Sequence, residues 1–563
     1  MKKSVLATVL ALSVLFTACA TKDQKTTSEN ETSEAVSETT EKPSESETDT
    51  TEDPTDPSAN EIVSYDAPSF TKVSYLSYQI ETEEVFDFLS KDIKGIEEED
   101  RFSGYNCIEY YIGSCGIPVF EGDAYENLNA AVKEDFERII PNAKQYFEGR
   151  KDEISKTFGK EEYAVTSEDY LIPAVLRADE KITTIYYPFQ VDGEKVVEVT
   201  SENLINYDTA TGKRIALSDV VKDKDRFTEL AKEAIVNSTT YEYPGSNQEE
   251  DVLAFLNSDN IPFTIDYSGI GVYFQQTVNV SDLSGTGRIE YIGNEDVFNG
   301  EYFDVLPEDY VLHITPNSDF YWDLDGDGKT EKILVAIDMM IPFYDIDSFS
   351  IFVDDQETVI DASDVYTPDG LSLIHTHGQD FLYFWTVGED EILGVSIFEI
   401  VDKKVEDRGG SPSWLPNTAA NFDPNHVALV KDTYVVGREN YGAVYSIGSD
   451  GKPVSDEEAV SFVHYYGHIF PCLKKDLKVD QVDPETLETK GTITLKAGTS
   501  LRPISTNRKG WEEEAFEIFK VIDKDTSKEV YVKLDLDFSE DDSVAKINGE
   551  SVMDLFVRVF MGA

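Results

Sequence analysis

The chain has 563 residues, enough for two to four domains at about 100–200 residues each. Its 31 Phe and 30 Tyr exclude disorder throughout, because they supply ample apolar area to bury. Against 48 Lys and Arg stand 111 Asp and Glu, a net charge of −63, which repels phosphate and excludes nucleic-acid binding by counterion release.

The first residues carry Lys2 and Lys3, then an apolar run over 5–16, then Thr17-Ala18-Cys19, the three parts of an export signal. The run is too short for a permanent transmembrane helix. Small residues before Cys19 resemble the bacterial lipoprotein signal, with Phe16 at a position where that family usually has Leu. The resemblance implies a signal peptide over 1–18, diacylation of Cys19 with palmitate-type chains, and an extracellular protein held on the outer face of the cell membrane. Two acyl chains hold firmly where one does not. The alternative is an ordinary secretory signal with Cys19 incidental.

Residues 19–62 read as a disordered acidic tether. Within 20–60 no residue is aromatic, 16 of 41 are Ser or Thr and 12 are Asp or Glu, so ordering entropy exceeds what burial could return. Flexible-chain scaling gives a mean reach of roughly 35 Å, which suits a thick Gram-positive wall. Cys107 and Cys115 flank Tyr110, Tyr111 and Gly113; a small hairpin there would allow a disulfide, and two free buried thiols are the equal alternative. Cys472 is left unpaired.

Residues 63–308 read as an α+β domain, an antiparallel sheet with two helices. Leu128, Ala131, Val132, Phe136 and Ile139 recur at helical spacing, as do Phe227, Leu230, Ala231, Ala234 and Ile235. Stretches 182–191 and 196–207 read as strands, followed by a turn over 208–212. Ile117-Pro118-Val119-Phe120, Tyr125-Glu126-Asn127-Leu128-Asn129 and the Asn206–Lys213 run with Leu217-Ser218-Asp219-Val220-Val221 resemble the extracellular domain of unknown function 3298 type, with its 4163-type N-terminal part. The stretch 263–274 matches that family's later hairpin. The resemblance covers roughly 240 residues. It implies a domain like those outside the membrane in lysozyme-sensing anti-sigma factors and beside the catalytic domain of some peptidoglycan deacetylases.

Residues 309–460 read as an acidic β region built around Asp323-Leu324-Asp325-Gly326-Asp327-Gly328-Lys329-Thr330-Glu331. Carboxylates of Asp323, Asp325, Asp327 and Glu331, with the Lys329 main-chain carbonyl, could converge on one hard cation, and calcium accepts such flexible oxygen ligation. An EF-hand would need Glu where Leu334 stands, and flanking helices; the loop is similar instead to interstrand calcium loops of integrin-type and bacterial β-repeats. The bland alternative is a solvated acidic turn. Asp323 stands where a phosphate-binding loop needs Gly, so no nucleotide is expected. Further strands separated by polar turns suggest propeller-like blades or a sandwich. Residues 461–563 read as a small barrel-like β subdomain, with Val530, Val532, Leu534, Leu536 and Phe538 in strict alternation.

No catalytic constellation stands out. His375 and His377 on one strand face would suit zinc, and His464 and His468 would do so on a helix, but histidines on β-surfaces are commoner than ligands. Ser449 opens a turn, not an active-site serine motif. The reading is therefore a non-catalytic, lipid-anchored binding protein of the bacterial envelope that recognises a cell-wall glycan or a basic protein such as lysozyme, with a structural calcium loop. The alternative is a wall-modifying hydrolase or deacetylase using acidic residues.

Overall fold

The computed structural model describes residues 63–557 apart from 90–109, 158–165, 188–189, 192–193, 196–198, 240–247, 259, 275–285, 338–345, 366, 388–392, 412, 415–422, 434–438, 456–459, 466–471, 485, 500, 508–513, 523–528 and 538–544. The signal segment, Cys19, the tether and Cys107 lie outside the described residues. Contacts divide the chain into Met1–Glu61 and Ile62–Ala563. The second unit is mostly β with few helices.

Strands β1 (Tyr78–Leu89) and β2 (Tyr110–Phe120) are antiparallel, whereas β2 and β3 (Thr166–Leu171) are parallel. A parallel pair needs a crossover, and helix α1 (Glu126–Thr157) lies within it. The expected stripe over 128–139 continues through Ala143 and Phe147, so α1 runs on past Pro141. Its inner face packs on Phe120, on Val175 of β4 (Ala174–Ala178), on Ile185 of β5 (Ile182–Tyr186) and on Ile205 and Tyr207 of β6 (Leu204–Asp208). Strand β6 ends in the expected turn, closed by Gly212 N–H donating to the Asp208 carbonyl at 2.8 Å. Helices α2 (Lys224–Thr239) and α3 (Gln248–Leu256) bury Phe227, Ala231, Ile235, Val252 and Leu256 against the sheet of β7 (Phe263–Ile265), β8 (Gly269–Tyr273) and β9 (Thr286–Glu290). The expected hairpin over 263–274 is β7–β8, with its turn at Asp266, Tyr267 and Ser268.

Two antiparallel sheets follow. One has β11 (Phe320–Trp322), β12 (Glu331–Ile337), β13 (Ile346–Val353) and β14 (Gln356–Val365) in sequence order. The other orders β10 (Tyr310–His313), β15 (Thr367–Thr376), β16 (Gln379–Val387), β17 (Leu393–Val401) and β18 (Lys404–Ser411). They face each other across a shared core, with Phe349 of β13 and Phe384 of β16 at 4.5 Å between ring centroids. Among the described residues this is a sandwich and not a set of propeller blades. The five-stranded sheet is buried on its other face too, where Val311, Ile374, Phe381 and Tyr383 meet Val427, Tyr445 and Ile447.

The last sheet is curled like half a barrel. Its path runs from the two-residue strand Ser413–Trp414 through β19 (Val427–Thr433), β20 (Glu439–Ile447), β21 (Val460–Tyr465), β24 (Arg502–Thr506), β25 (Glu514–Ile522) and β26 (Glu529–Asp537) to β22 (Leu477–Val482) and β23 (Thr489–Leu495). Val532, Leu534 and Leu536 are buried, in the alternation read from the sequence.

Two expected boundaries fall inside packed structure. The cut at 460/461 falls in β21, which pairs with β20 on one side and β24 on the other. The cut at 308/309 divides the sandwich core, because Leu176, Tyr186, Leu204, Tyr267, Tyr273, Ile292 and Leu306 pack with Tyr310, Leu312 and the residues after them. A fragment of 309–563 alone would expose that face, so it is expected to aggregate or to lack a cooperative melting transition, whereas 63–563 melts cooperatively; calorimetry of the two proteins checks this.

Candidate functional site

The Asp-rich loop connects β11 to β12, which pair from Phe320↔Ile333 to Trp322↔Glu331. The buried Phe320, Trp322, Ile333, Val335 and Ile337 fix this hairpin on the sandwich core. Each aspartate folds back on the loop's own amides: Asp323 accepts from Gly326 N–H at 2.8 Å and Gly328 N–H at 3.0 Å, Asp325 from Asp327 N–H at 3.1 Å, and Asp327 from Lys329 N–H at 2.8 Å. Gly326 and Gly328 have φ of 74° and 87°, left-handed values that glycine adopts at least cost. The result brings one carboxylate oxygen from each of Asp323, Asp325 and Asp327 within 4.8 Å of the others. Three hard oxygens at that spacing suit a calcium-sized ion, with carbonyls and water completing six to eight ligands.

The return limb of the loop is held from outside by the first described residues of the chain. Ala67 N–H donates to the Gly328 carbonyl and Thr330 N–H to the Tyr65 carbonyl, both at 3.0 Å. Tyr65 N–H and Ser64 Oγ donate to Thr330 Oγ1 and the Thr330 carbonyl. Asp66 and Lys329 are the opposed pair of this antiparallel bridge and share an ion pair. The Lys329 ammonium beside Asp66 holds that carboxyl below the usual carboxylate range. Bonds from 328 and 330 go to the strap, so the main-chain groups of Lys329 face the other way. Its N–H reaches Asp327.

Glu331 departs from the expected ligand set. Alternation along β12 places it on the inward face with Ile333, Val335 and Ile337, and it is 3% exposed. Its Oε2 accepts from Leu324 N–H at 2.9 Å, and its Oε1 lies 3.1 Å from Lys403 Nζ. Lys403 also reaches Asp354 Oδ2 at 2.7 Å, and Asp354 Oδ1 accepts from Lys332 N–H at 2.9 Å. The Asp354 hydrogen bond, reinforced by Glu331, holds the Lys403 ammonium well above its ordinary pKa. Glu331 is therefore a clamp on the loop's base. Of the five expected donors, the three aspartates converge, and Glu331 is engaged elsewhere. Lys403, Asp354 and Asp66 have no signal in the local sequence; each reaches the loop from a distant segment.

His375 and His377 do not come together as a pair of ligands. His375 closes on Asp380 at 2.8 Å and stacks on Tyr310 at 4.8 Å. Strand β15 ends at Thr376, so His377 sits in the turn at φ 54° and points Nε2 to the Ile447 carbonyl at 3.2 Å. His464 lies on strand β21 and not on a helix; His468 is outside the described residues. Cys115 is a free, buried thiol, which burial pushes up to about 12. Tyr110, Tyr111 and Gly113 run straight along the same strand β2, with no hairpin between them.

Removing the shared ammonium isolates two carboxylates, one of them buried. Lys403→Met is expected to destabilise the protein by about 1–3 kcal/mol, within the penalty for an unmatched buried group, and Lys403→Met with Glu331→Gln to recover part of it. Urea unfolding of the two variants checks the ordering.

No family model and no curated protein matches the chain. Among solved structures, the crystal structure of a member of the DUF3298 family from Bacteroides fragilis aligns with 40% of this chain and 96% of its own, at 10% identity and a TM-score of 0.22. No helix among the described residues is long and apolar enough to cross a membrane.

Proposed function

We propose that this protein is a non-catalytic, lipid-anchored binding protein of the bacterial cell envelope, whose folded body stands off the membrane on the 19–62 tether and captures cationic partners. The observation that carries the reading is the acid surplus. The 48 basic residues can neutralise at most 48 of 111 acids. Some are already paired within the fold, among them Arg177 to Asp179, Arg214 to Asp135, Arg288 to Asp266 and Glu290, Arg408 to Glu399, and Lys403 to Glu331 and Asp354. A net negative charge of this size steers positive proteins by a field that salt screens. The 3298-type resemblance of residues 117–274 favours a wall glycan or lysozyme as the partner. The export signal and Cys19 favour the outer membrane face as the location.

Calcium at the Asp323, Asp325 and Asp327 loop is the structural part of this proposal. Its donors are all oxygen, its glycines permit the turn, and the ion would offset repulsion among three carboxylates on an already negative body.

Two outcomes are expected. Lysozyme binds the purified full chain at about 50 mM salt and at least tenfold more weakly at about 500 mM, measured by calorimetry, with turnover of peptidoglycan as a parallel assay. Absence of binding at both salts, or turnover of the wall polymer, rejects the non-catalytic capture reading. Calcium at about 100 times its Kd adds about 2.7 kcal/mol of stability, so chelation lowers Tm and Asp325→Asn with Asp327→Asn removes the difference; identical melting with and without calcium returns the loop to a solvated turn.

A further inference from the structure

Where the β7–β9 sheet meets β10 and β15, the fold encloses a second charged network. Arg288 on β9 spans it. Its Nη1 pairs with Asp266, its Nε lies 2.5 Å from Glu290 Oε1, and its Nη2 donates to Ser268 Oγ at 2.5 Å. Next to it, Arg177 pairs with Asp179 at 2.6 Å, donates to the Asp266 carbonyl at 3.1 Å, and lies over the Tyr267 ring at 4.2 Å. From β10, His313 faces Arg288 and Asp266, and its Nδ1 is 3.0 Å from Ser372 Oγ on β15.

Counting charge settles what the network must hold. Two guanidiniums face three carboxylates, which leaves one negative charge in excess. The Asp266, Arg177 and Asp179 side chains are fully enclosed, while Arg288 is 10% and Glu290 22% exposed. An unbalanced charge at such a site is costly, and the group least supported neutralises. Asp179 accepts from the main-chain N–H of Lys181 and Ile182, and Asp266 from those of Ser268 and Gly269. Glu290 has no main-chain donor among the described residues; its partners are the Ser268 hydroxyl and an Arg288 that it shares with Asp266. Tyr267 and Tyr273 also border the network, and burial holds both phenols neutral.

We propose that this network stores one proton on Glu290 and releases it to solvent as the medium turns alkaline, making the joint between the β7–β9 sheet and the β10–β15 pair pH-responsive. Burial, opposed by Arg288, pushes the Glu290 carboxyl up to about 7, and the same burial, with Arg288 near, pushes His313 down to about 4. For a carboxyl raised on folding, its full contribution is present below the unfolded pKa of about 4.5 and is lost as pH rises through about 7. For His313 the direction is opposite: its contribution is complete above about 6.5 and lost as pH falls towards about 4. The His313 contribution is common to wild type and to a Glu290 variant, so it cancels in their difference.

The test is Glu290→Gln in the full chain, with Tm measured from about pH 5 to pH 8. The amide mimics the protonated carboxyl. The variant is expected to match wild type at the acid end and to melt several degrees higher at the alkaline end. A difference that stays constant with pH overturns the proposal, as does a variant that fails to fold, because a site that already holds a neutral carboxyl accepts its isosteric amide.

Discussion

Burial of the five-stranded sheet on both faces is the constraint from which the rest of the architecture follows. Along β16 the consecutive residues Phe381, Leu382, Tyr383 and Phe384 are all at most 1% exposed. Alternation sends Leu382 and Phe384 into the sandwich core, and Phe381 and Tyr383 towards the curled sheet. Each such side chain contributes about 1.5–3 kcal/mol when fully buried, so neither neighbouring layer can leave without exposing half of the strand. The contact is close enough to dictate backbone: Gly451 has φ 77°, and a Cβ there would meet the Phe381 ring at 2.6 Å. The Tyr383 hydroxyl donates to the Gly451 carbonyl, so the polar end of that ring is satisfied where it is buried.

This constraint explains which features of the chain were legible. One-faced strands announce themselves by period two, as Val532, Leu534 and Leu536 do, and β12 does so through Ile333, Val335 and Ile337. Turns were legible where a glycine has a backbone task, at Gly212 and at Gly326 and Gly328. Domain boundaries were not, because composition records local tendency while the 308/309 and 460/461 positions are bridged by side chains and strand ladders from distant segments. Helix α1 likewise extends beyond the residues 128–139 whose spacing marks it in the sequence. Pro141 is a helix breaker by propensity, yet Phe147, fully buried beyond it, continues the stripe of Leu128 and Val132.

The loop shows the same division between local and distant information. Spacing alone points to Asp323, Asp325 and Asp327, whose carboxylates accept from the loop's own amides and lie within 4.8 Å of one another. Spacing also included Glu331, and there the strand register wins: position 331 is the first inward residue of β12, so its carboxylate enters the core side and requires a buried partner. Lys403, brought by the turn between β17 and β18, is that partner.

The placement of the bases then decides which acids stay out of ion pairs. Lys329 is taken by Asp66 on one flank of the loop, and Lys403 by Glu331 and Asp354 at its base. Among the described residues, none of Asp323, Asp325 and Asp327 is in an ion pair, although they stand within 4.8 Å of one another. Like charges gathered at that distance repel, and their hydrogen bonds to loop amides lower the repulsion without removing it. In a chain with 63 more acids than bases, an internal lysine at the loop would have been the simplest relief. Lys329 and Lys403 are instead bound to other carboxylates, and the three aspartates keep only the loop's own amides as hydrogen-bond donors among the described residues.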